Sequence, residues 1–419
     1  MRLLIIDKEF PPNPHGGIGS YDLVLARTLG RYGYFVSVLT GTIERKISVR
    51  EKDYGILAKV PYRSFQAGFG KYLRWIDAIS FGRSVLPVAR RLVSEYKLDL
   101  VEIPSASGYG SLLSIALKTE IPVITRFHGS LGKIPIDPHI YSLLEREIAR
   151  IGESKIRRRA ATFVNSPQWL LEREQILKSH RITSPSHFAK RWIKENIDCN
   201  DQKLWVIPNG IDPQEFSPYR TMRYQRKKER RLVCFVGRCS VPKGASVLAR
   251  ALPQILDNDA RADILFAGPL FDARIFKQLN ILSKQYPGRI MLPGRLPREQ
   301  LLSTLAKAHC LVHPSFYEIS PMAVLEAMAL GLPVAASRTG PLPEIVIERE
   351  TGLLFQPGDE DSLANTVLTL LSADHNQLAK MGNAATMRVD AIFNLNTLIQ
   401  QQIDFYTDTL NVDLASLSK

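Results

Sequence analysis

The sequence predicts an α/β protein built from two doubly wound domains, each with a parallel sheet. Short apolar, β-rich runs alternate with helical stretches along the chain, and strand–helix–strand units at this spacing indicate parallel sheets. The chain has 419 residues, more than a single hydrophobic core usually serves. The pattern also restarts after a basic run at 220–231. We therefore expect one domain at 1–209 and a second at 210–419.

The first domain opens with the apolar run LLIID at 3–7, which a Pro-rich loop follows. From about residue 18 to 32, apolar side chains recur at positions 21, 24, 25 and 29, which is the spacing of a helix. Similar short runs bounded by turn residues predict the other strands of this domain: FVSVLT (35–40), LDLVEI (98–103), PVITRF (122–127), ATFVNS (161–166) and LWVIPN (204–209).

The second domain repeats this alternation after the basic run, which is expected to be a solvated connector. The last helix, about 396–412, is a candidate to pack back on the first domain. The predicted strands are again short apolar runs followed by turn residues: RLVCFVGR (231–238), ADILFAG (262–268), IMLPG (290–294), CLVHPS (310–315) and PVAAS (333–337).

The composition is that of an ordinary globular protein, with 45% hydrophobic and 23% charged residues. No stretch approaches the roughly 20 apolar residues of a membrane span. The N-terminal run LLII is shorter than the apolar core of a signal peptide. A cytoplasmic protein is therefore expected.

The four cysteines lack CxxC spacing, and we interpret them as reduced thiols. The run HCLVH brings His309, Cys310 and His313 close together in sequence. This run is typical of a buried strand, and no further metal-ligating residue lies nearby in the sequence. No metal site is therefore expected there.

The net charge of +14 is unevenly distributed. Residues 1–203 carry 32 Lys and Arg against 20 Asp and Glu. A basic first half indicates either an anionic partner, such as anionic lipid headgroups or a phosphorylated acceptor, or a solvated surface kept for solubility. Nucleic acid is not an expected partner, because the run 220–231 lacks interleaved aromatic residues beyond Tyr219 and Tyr224.

Two motifs of the first domain follow predicted strands, at the sheet edge where doubly wound domains bind ligands. In HGGIGS, Gly17 and Gly19 allow close approach of the backbone, and the helix that follows offers free N–H groups to an anion. Asp22 stands where a dinucleotide fingerprint needs its third glycine. In TRFHGS, His128 ends a strand just before a glycine. A plain tight turn and a structural histidine are the alternatives.

The loop FVGRCSVPKG, which opens the second domain, places Arg238 and Lys243 after the end of a strand. Two such cations that converge on one anion suit a diphosphate, and Gly237 and Gly244 free the backbone around them. The loop is not a P-loop, because the pattern GxxxxGK[ST] is absent. A pair of ordinary surface cations is the alternative.

The stretch EISPMAVLE places Glu318 and Glu326 eight positions apart around Ser320 and Pro321. Pro321 suits the first turn of a helix, and Ser320 suits its N-cap. Glu326 then lies inside the helix among apolar neighbours, which favours a buried, hydrogen-bonded carboxylate over a solvated one. The two carboxylates and the helix N-terminus between them suit an extended ligand that carries phosphate.

Together these motifs resemble the family 4 retaining glycosyltransferases with the GT-B fold, over essentially the whole chain. The resemblance implies two Rossmann-like doubly wound domains that face each other across a deep cleft. The E-x7-E block with its continuation is highly specific, whereas the isolated glycines are not. The pieces occur in the family's order: GGxG (16–19), HG (128–129), IPNGID (207–212), GRxxxxKG (237–244), E-x7-E (318–326), EAMALGLPV (326–334) and TGPLPEIV…TGLLFQPGD (339–359).

The resemblance also implies a nucleoside diphosphate-sugar donor, bound mostly by the second domain. Arg238 and Lys243 would hold the diphosphate and stabilise the leaving charge in place of a metal ion, and no cofactor is expected. Glu326 would bind the ribose hydroxyls, Glu318 the hydroxyls of the donor sugar, and His128 the same sugar near the reaction centre. Further donor contacts are implied for Gly17, Gly19, Ser320, Met322 and Ala323.

For the reaction, the resemblance implies transfer of a hexosyl group with retention of configuration, by front-face attack. The acceptor would be a glycan, a lipid-linked molecule or a small molecule, bound by the first domain through variable loops such as 41–75 and 130–140. Such an enzyme would act in glycan, polysaccharide or glycolipid biosynthesis, as a cytoplasmic or peripheral membrane protein on an anionic surface.

One departure from the family pattern lies between the two glutamates. Many members have Phe-Gly where this chain has Ser320 and Pro321, and proline has no amide to donate to the donor. Two other interpretations of the function remain open. One is a related GT-B enzyme, such as a phosphorylase or a nucleotide-sugar epimerase, and the other is a non-catalytic basic binding module.

Overall fold

The computed structural model describes residues 1–11, 17–42, 44–64, 74–105, 108–129, 136–151, 155–222, 230–270 and 272–411, with the backbone alone for Gly17 and for 155–166. The chain divides into two compact units. Unit 1 comprises Met1–Pro135, Ile156–Asn209 and Leu398–Lys419, and unit 2 comprises Ile136–Lys155 and Gly210–Thr397. Most of the basic connector predicted at 220–231 lies outside the described residues.

In unit 1, strands and helices alternate along the chain, with one helix of unit 2 (α4) interposed. The elements in chain order are β1 (Arg2–Ile6), α1 (Gly17–Arg31), β2 (Phe35–Thr42), β3 (Ser48–Lys52), β4 (Gly55–Pro61), α2 (Arg74–Glu95), β5 (Leu100–Pro104), α3 (Gly110–Leu117), β6 (Val123–Arg126), α4 (Pro138–Arg150), α5 (Lys155–Lys178), β7 (Arg181–Ser184), α6 (His187–Asn196) and β8 (Leu204–Val206).

The sheet of unit 1 has eight strands in the order β3-β4-β2-β1-β5-β6-β7-β8. Neighbouring strands are parallel except β3 and β4, which are antiparallel. Alternate residues of β1 belong to different apolar clusters, Leu4 and Ile6 to one and Leu3 and Ile5 to another. Both faces of the sheet are therefore covered, as parallel sheets require. The strand order reverses between β1 and β5.

Unit 2 contains the second series of alternating elements. They are α7 (Pro213–Arg220), β9 (Arg231–Val236), α8 (Ala245–Asn258), β10 (Ala262–Ala267), α9 (Ala273–Gln285), β11 (Ile290–Gly294), α10 (Arg298–Lys307), β12 (Cys310–His313), α11 (Met322–Ala329), β13 (Val334–Ser337), α12 (Leu342–Ile345), β14 (Gly352–Phe355), α13 (Glu360–Ser372) and α14 (His375–Ile392), and α15 (Leu395–Leu410) follows them.

The sheet of unit 2 has six strands in the order β11-β10-β9-β12-β13-β14, and every neighbouring pair is parallel. Alternate residues of β9 again belong to different clusters, since Val233 and Phe235 pack in one and Cys234 in the other. The strand order reverses between β9 and β12, and ligands of open α/β sheets bind outside the carboxyl ends of strands at such a reversal. The prediction of two doubly wound parallel sheets is confirmed.

The two units exchange segments of the chain. Helix α4 lies within the sequence range that we assigned to the first domain, but it belongs to unit 2 because Ile140 and Leu144 are buried in the core of that unit. Helix α15 returns to unit 1 in the opposite sense, and its residues Phe405 and Tyr406 are fully buried there. From the sequence, the last helix was a candidate for such a return. For α4 the sequence pattern carries no such information, since its place depends on which apolar face covers the helix.

Two local predictions for unit 1 need correction. The run 161–166 is not a strand but part of α5, and the strand of this region is β7 instead. A short apolar run with β-branched residues cannot be distinguished from a helix segment by its periodicity. The region 41–75, which we took for variable loops, contains the antiparallel pair β3 and β4. Residues 65–73 and 130–135 of the predicted acceptor loops lie outside the described residues.

Candidate functional site

The loop after β9, residues 237–244, carries both predicted cations. Gly244 has a left-handed φ of +68°, and a Cβ at this position would lie 1.8 Å from the carbonyl oxygen of Pro314. The glycine therefore lets the loop lie directly against the residues that follow β12. The backbone N–H of Phe316 donates to the carbonyl of Pro242 at 2.9 Å and fixes this contact. Lys243 is thereby held over the carboxyl end of β12.

Glu318 collects three donors on a single carboxylate oxygen. Its Oε1 accepts from Lys243 Nζ at 2.6 Å, from Ser315 Oγ at 2.7 Å and lies 2.8 Å from His313 Nε2. The two predicted partners of a diphosphate-sugar, Lys243 and Glu318, are thus in direct contact. They join the loops after β9 and β12, the two strands between which the sheet order reverses.

The electrostatics of this cluster favour an ionised Glu318. The side chain is 5% exposed, and burial alone would raise its pKa, because a carboxylate loses hydration in the interior. The positive charge of Lys243 and the hydrogen-bonded ring of His313 outweigh this effect and hold the pKa of Glu318 well below its usual range. The site therefore keeps a fixed negative charge across the neutral pH range.

The helix mouth between the two glutamates differs from the prediction in one respect. Helix α11 begins at Met322, and Pro321 occupies the N-cap position without a side-chain cap. Ser320 does not cap the helix, since its hydroxyl points to the sulfur of Met322 at 3.8 Å. The carbonyl of Pro321 instead accepts from the amide of Val324 at 2.9 Å. The first amides of the helix, those of Met322 and Ala323, lie at the end of the loop that carries Glu318.

Glu326 is mostly buried, with 14% of its side chain exposed, and it is paired, as the apolar flanks predicted. Its Oε1 accepts from Arg298 Nη1 at 2.5 Å, and the same guanidinium binds Glu215 at 2.8 Å. Arg298 also lies over the ring of Phe216, 5.6 Å from its centre. Burial raises the pKa of Glu326, and the charge of Arg298 offsets part of that rise. Arg298 thus links α7, α10 and α11.

Arg238 lies in the same loop as Lys243 but is more exposed. It directly follows Gly237 at the end of β9, and its side chain is exposed. Its carbonyl accepts weakly from the hydroxyl of Ser240 at 3.5 Å. The structure thus places Lys243 in contact with Glu318, whereas Arg238 lies at the solvent edge of the same loop.

In unit 1, His128 follows β6 on a turn that Ser105 holds. The amide of His128 donates to Ser105 Oγ at 3.2 Å, and that hydroxyl donates to the carbonyl of Gly129 at 2.8 Å. Burial, together with the nearby charge of Arg126, lowers the pKa of His128 to about 3. The imidazole is therefore neutral at physiological pH, and its ring meets Tyr21 edge-on with the centres 6.1 Å apart.

A buried ion pair, formed by Arg126 and Glu102, lies next to the turn of His128. Arg126 Nε donates to Glu102 at 2.6 Å, and its Nη2 donates to Gln402 at 2.8 Å. Tyr406 donates to the other oxygen of Glu102 at 2.6 Å. Gln402 and Tyr406 both lie on α15, so the last helix of the chain completes the support of the His128 turn.

The glycine motif of unit 1 is described only in part. Its first two residues, 15 and 16, lie outside the described residues, and α1 begins at Gly17. Gly19 packs against the backbone of Glu9, since a Cβ there would lie 2.1 Å from the Glu9 carbonyl oxygen. This close packing accounts for Gly19 without a ligand, and a ligand-binding role for the two glycines stays a prediction.

Sequence reasoning missed four residues that complete the candidate site of unit 2. They are His313 and Ser315 beside Glu318, and Arg298 and Glu215 beside Glu326. His313 was interpreted as a buried strand residue, and it is buried at the last position of β12, but its ring also bonds to Glu318. Among the described residues, no group of three or more His, Cys, Asp or Glu side chains is arranged to hold a metal ion.

Comparison with known proteins decides the family. The family model Glycosyltransferase Family 4 matches residues 15–215, and the model Glycosyl transferases group 1 matches residues 221–388. The chain belongs to the family 4 GT-B glycosyltransferases. The two matches meet between Asn209 and β9, where the sequence pattern restarts.

Individual relatives of this glycosyltransferase are distant. An uncharacterised glycosyltransferase of Methanocaldococcus jannaschii is 26% identical over 89% of both chains. A sulfoquinovosyl transferase of Arabidopsis thaliana matches over about half of its own length at 27% identity. A glycogen synthase of Mycobacterium tuberculosis is 23% identical over 97% of this chain and 94% of its own length.

Solved structures show the same GT-B fold. Sucrose-phosphate synthase of Thermosynechococcus elongatus superposes with a TM-score of 0.76 at 21% identity and covers 97% of this chain and 98% of that one. Anabaena HepE in complex with UDP-glucose superposes with a TM-score of 0.69 at 17% identity and covers 97% of this glycosyltransferase and all of HepE. In the described part of the chain, no helix is both long and apolar enough to cross a membrane.

Proposed function

We propose that this glycosyltransferase moves a hexosyl group from a nucleoside diphosphate-sugar to an acceptor hydroxyl with retention of configuration. The observation that carries the proposal is the contact of Lys243 with Glu318, 2.6 Å apart, at the carboxyl edge of the unit 2 sheet. A cation suited to phosphate and a carboxylate suited to sugar hydroxyls thus lie side by side at the reversal of the strand order.

The diphosphate of the donor would lie between the loop of Lys243 and the mouth of α11. Lys243 and Arg238 would neutralise the leaving diphosphate, and the amide of Ala323 would bind a phosphate oxygen at the helix N-terminus. The amide of Met322 donates to the carbonyl of Ser320 at 3.0 Å and would have to exchange this partner for phosphate. Two cations and a helix N-terminus supply the charge stabilisation that other transferases obtain from a metal ion. On this proposal the reaction needs no metal and no cofactor.

The ribose of the donor would bind Glu326. In the structure, Arg298 Nη1 donates to Oε1 of this carboxylate at 2.5 Å. A ribose hydroxyl would therefore either bind Oε2 or share Oε1 with the guanidinium. The solved neighbour that holds UDP-glucose supports a nucleotide-sugar donor.

The reaction itself would be a front-face displacement. The acceptor oxygen forms a bond to the anomeric carbon on the face from which the diphosphate leaves, and the leaving phosphate oxygen takes the proton of the acceptor hydroxyl. No separate general base is then required. Glu318 would orient the donor sugar through its hydroxyls, and a contact of His128 with that sugar stays a prediction.

A donor panel tests this proposal. Purified protein is incubated with UDP-, GDP- and ADP-hexoses, with and without EDTA, and release of the nucleoside diphosphate is measured. We expect one donor class to be turned over equally with and without EDTA. Failure of every donor to bind or react would contradict the proposal, and loss of activity in EDTA would contradict its metal-free chemistry.

The acceptor is proposed to be a glycan or a lipid-linked molecule at an anionic membrane surface. The support comes from the turn before β3 and that strand itself, where Ile47 and Val49 are 47% and 40% exposed next to the exposed bases Lys46 and Arg50. Apolar side chains beside bases favour the surface of an anionic bilayer. Flotation with vesicles tests the idea, and equal recovery with and without anionic lipid would contradict it.

A further inference from the structure

We propose that His313 is a positioning residue for Glu318, which keeps this carboxylate in place when Lys243 binds the diphosphate of the donor. The inference rests on the proposed function, in which Lys243 contacts phosphate and Glu318 contacts the donor sugar. No motif of the sequence analysis assigned a role to His313.

The three donors on Glu318 differ in their freedom to move. Lys243 has a flexible stem, its side chain is 26% exposed, and its ammonium group can turn its three N–H groups to a new anion. His313 is 5% exposed and belongs to β12, where its backbone pairs with Ala336 of β13. Ser315 is fully buried, and its carbonyl accepts from the hydroxyl of Ser337 at 2.5 Å. His313 and Ser315 therefore remain in place when Lys243 is engaged elsewhere.

This difference matters because Glu318 is buried. A carboxylate in the interior that loses its cation is strongly unfavourable unless other donors remain bonded to it. With Lys243 drawn toward phosphate, the ring N–H of His313 and the hydroxyl of Ser315 are the remaining donors to Oε1. Without the histidine, a single hydroxyl would have to hold the carboxylate.

The position of the ring proton follows from the contacts. His313 Nε2 faces a carboxylate oxygen at 2.8 Å, and this contact is attractive only if Nε2 carries the proton. Nδ1 is buried and finds no hydrogen-bond partner in the described part of the chain. A proton on Nε2 satisfies the first atom and leaves the second as a bare acceptor. His313 therefore acts as a donor to Glu318.

The arrangement leaves one oxygen of Glu318 available for a ligand. The contacts of Lys243, Ser315 and His313 all converge on Oε1. No described side chain donates to Oε2. His313 thus fixes the carboxylate through one oxygen and presents the other to the hydroxyls of the donor sugar.

A matched pair of variants tests the proposal. In His313→Gln the side-chain amide reaches about as far as Nε2 and keeps the donor, whereas in His313→Asn the amide ends near the position of Nδ1. Both variants are polar and smaller than histidine, and a melting curve checks that each one folds. Nucleoside diphosphate release from the donor identified in the panel gives kcat and KM, and calorimetry with the free nucleoside diphosphate gives Kd.

We expect His313→Asn to lower kcat at least tenfold, because Glu318 loses its fixed orientation toward the sugar. The Kd of the free nucleoside diphosphate should change less than twofold, since it lacks the sugar. The acid limb of the pH–rate profile should also move to higher pH, because loss of the His313 donor raises the pKa of Glu318. Lys243, from the loop after β9, and His313, from β12, are the titratable groups that lower the pKa of Glu318. His313→Gln should recover most of kcat and the acid limb.

Three outcomes separate this inference from the proposed function. If His313→Asn keeps kcat within twofold and an unchanged acid limb, while Lys243→Ala is inactive, His313 is only structural and the proposed function stands. If Asn and Gln lower kcat equally, donation from the Nε2 position is not what matters, and the inference fails. If Glu318→Gln is fully active, the sugar role of Glu318 and the inference both fail.

Discussion

Glu318 shows at the residue scale how the site depends on compensation of a buried charge. The carboxylate is 5% exposed, and three donors converge on one of its oxygens. Among the three donors, Lys243 contributes an ammonium group. Its removal should therefore affect both chemistry and stability, and the two effects can be separated.

Lys243→Ala should lower turnover by about 100-fold or more, the usual loss when a group that stabilises developing negative charge is removed. It should also lower the melting temperature, because Glu318 keeps its buried charge without a cation. Turnover and melting curves measure the two effects. Lys277→Ala, an exposed lysine of α9, is the control.

The double variant Lys243→Ala with Glu318→Gln distinguishes the two losses. Removing both charges should restore much of the melting temperature without restoring turnover. If Lys243→Ala alone turned over the donor at nearly the wild-type rate, the diphosphate role of the lysine would have to be abandoned.

Asp22 is a second buried carboxyl, and it predicts a pH dependence of stability. It is 1% exposed on α1, and neither oxygen has a hydrogen-bond partner in the described part of the chain. Burial, followed by the charge of Asp7, raises the pKa of Asp22 well above its usual value. Below the pKa of the unfolded chain, the carboxyl of Asp22 is neutral in both the folded and the unfolded state, and the fold is most stable there. This stability is lost as the pH rises through the folded pKa, because ionisation is favoured in the unfolded state.

Asp22→Asn should therefore raise the melting temperature relative to the wild type at pH 8, by about 2–4 °C, and much less at pH 5. The expected gain arises because the amide cannot ionise. Melting curves at both pH values measure it, with the exposed Asp53→Asn as control. A gain that is equal at pH 5 and pH 8 would contradict the assigned pKa.

Individual residues of the candidate site also show what a sequence can and cannot predict. Glu318, Glu326 and Lys243 could be proposed as site residues from the sequence because their motifs are local. Arg298 was not found, since it lies 28 positions from Glu326 and 83 from Glu215, and no local pattern joins residues so far apart. Pairings of this kind depend on the tertiary fold alone.

At the scale of elements, the loop after β9 is held in place by a close backbone approach. Gly244 leaves no room for a side chain against Pro314 and has a left-handed φ of +68°. Gly288 has a similar φ of +74°, but a Cβ there would meet nothing within 4 Å. The two glycines differ in available space and not in backbone conformation, so they form a matched pair.

Gly244→Ala should abolish nucleoside diphosphate binding, because the loop must move off the end of β12 and carry Lys243 with it. Gly288→Ala should bind normally, at the cost of about 1–2 kcal/mol of backbone strain. Calorimetry with the nucleoside diphosphate measures both. Normal binding by Gly244→Ala would show that the loop position is not required.

Helix α15 is the element that completes unit 1. Tyr406 is fully buried and donates to Glu102 at 2.6 Å, and Glu102 in turn pairs with Arg126. Tyr406→Phe should cost about 1–3 kcal/mol, the price of leaving a buried carboxylate oxygen without its donor. The exposed Tyr32→Phe is the control. A melting temperature equal to that of the control would show that the helix is held by apolar packing alone.

Predictions at the element scale succeeded where the pattern was strong. Most strands were placed because apolar runs bounded by glycine and proline recur along the chain. The run 161–166 failed because a short apolar segment fits α5 as well as it fits a strand. The hairpin of β3 and β4 was missed because its edge strand β3, SVREK, is mostly charged and exposed.

At the scale of the whole molecule, the repeated strand pattern predicted two parallel sheets, and both are present. Their order, which reverses between β9 and β12 in unit 2, explains why distant motifs meet. The cations follow β9 and the first glutamate follows β12, so the topology brings them to one edge. The sequence named the last helix as a candidate to pack on the first domain, but it did not indicate that α4 belongs to unit 2, because that depends on side-chain packing over the whole chain.

We propose that unit 2 binds a nucleoside diphosphate through the loops after β9 and β12 and through Glu326. Calorimetric titration of UDP, GDP and ADP into the wild type, Glu326→Ala and the exposed control Glu299→Ala tests this most directly. We predict that one nucleotide binds the wild type and the control equally and binds Glu326→Ala about 10- to 100-fold more weakly, as expected for loss of a charged hydrogen bond. Absence of binding by the wild type, or equal binding by all three proteins, would contradict the account.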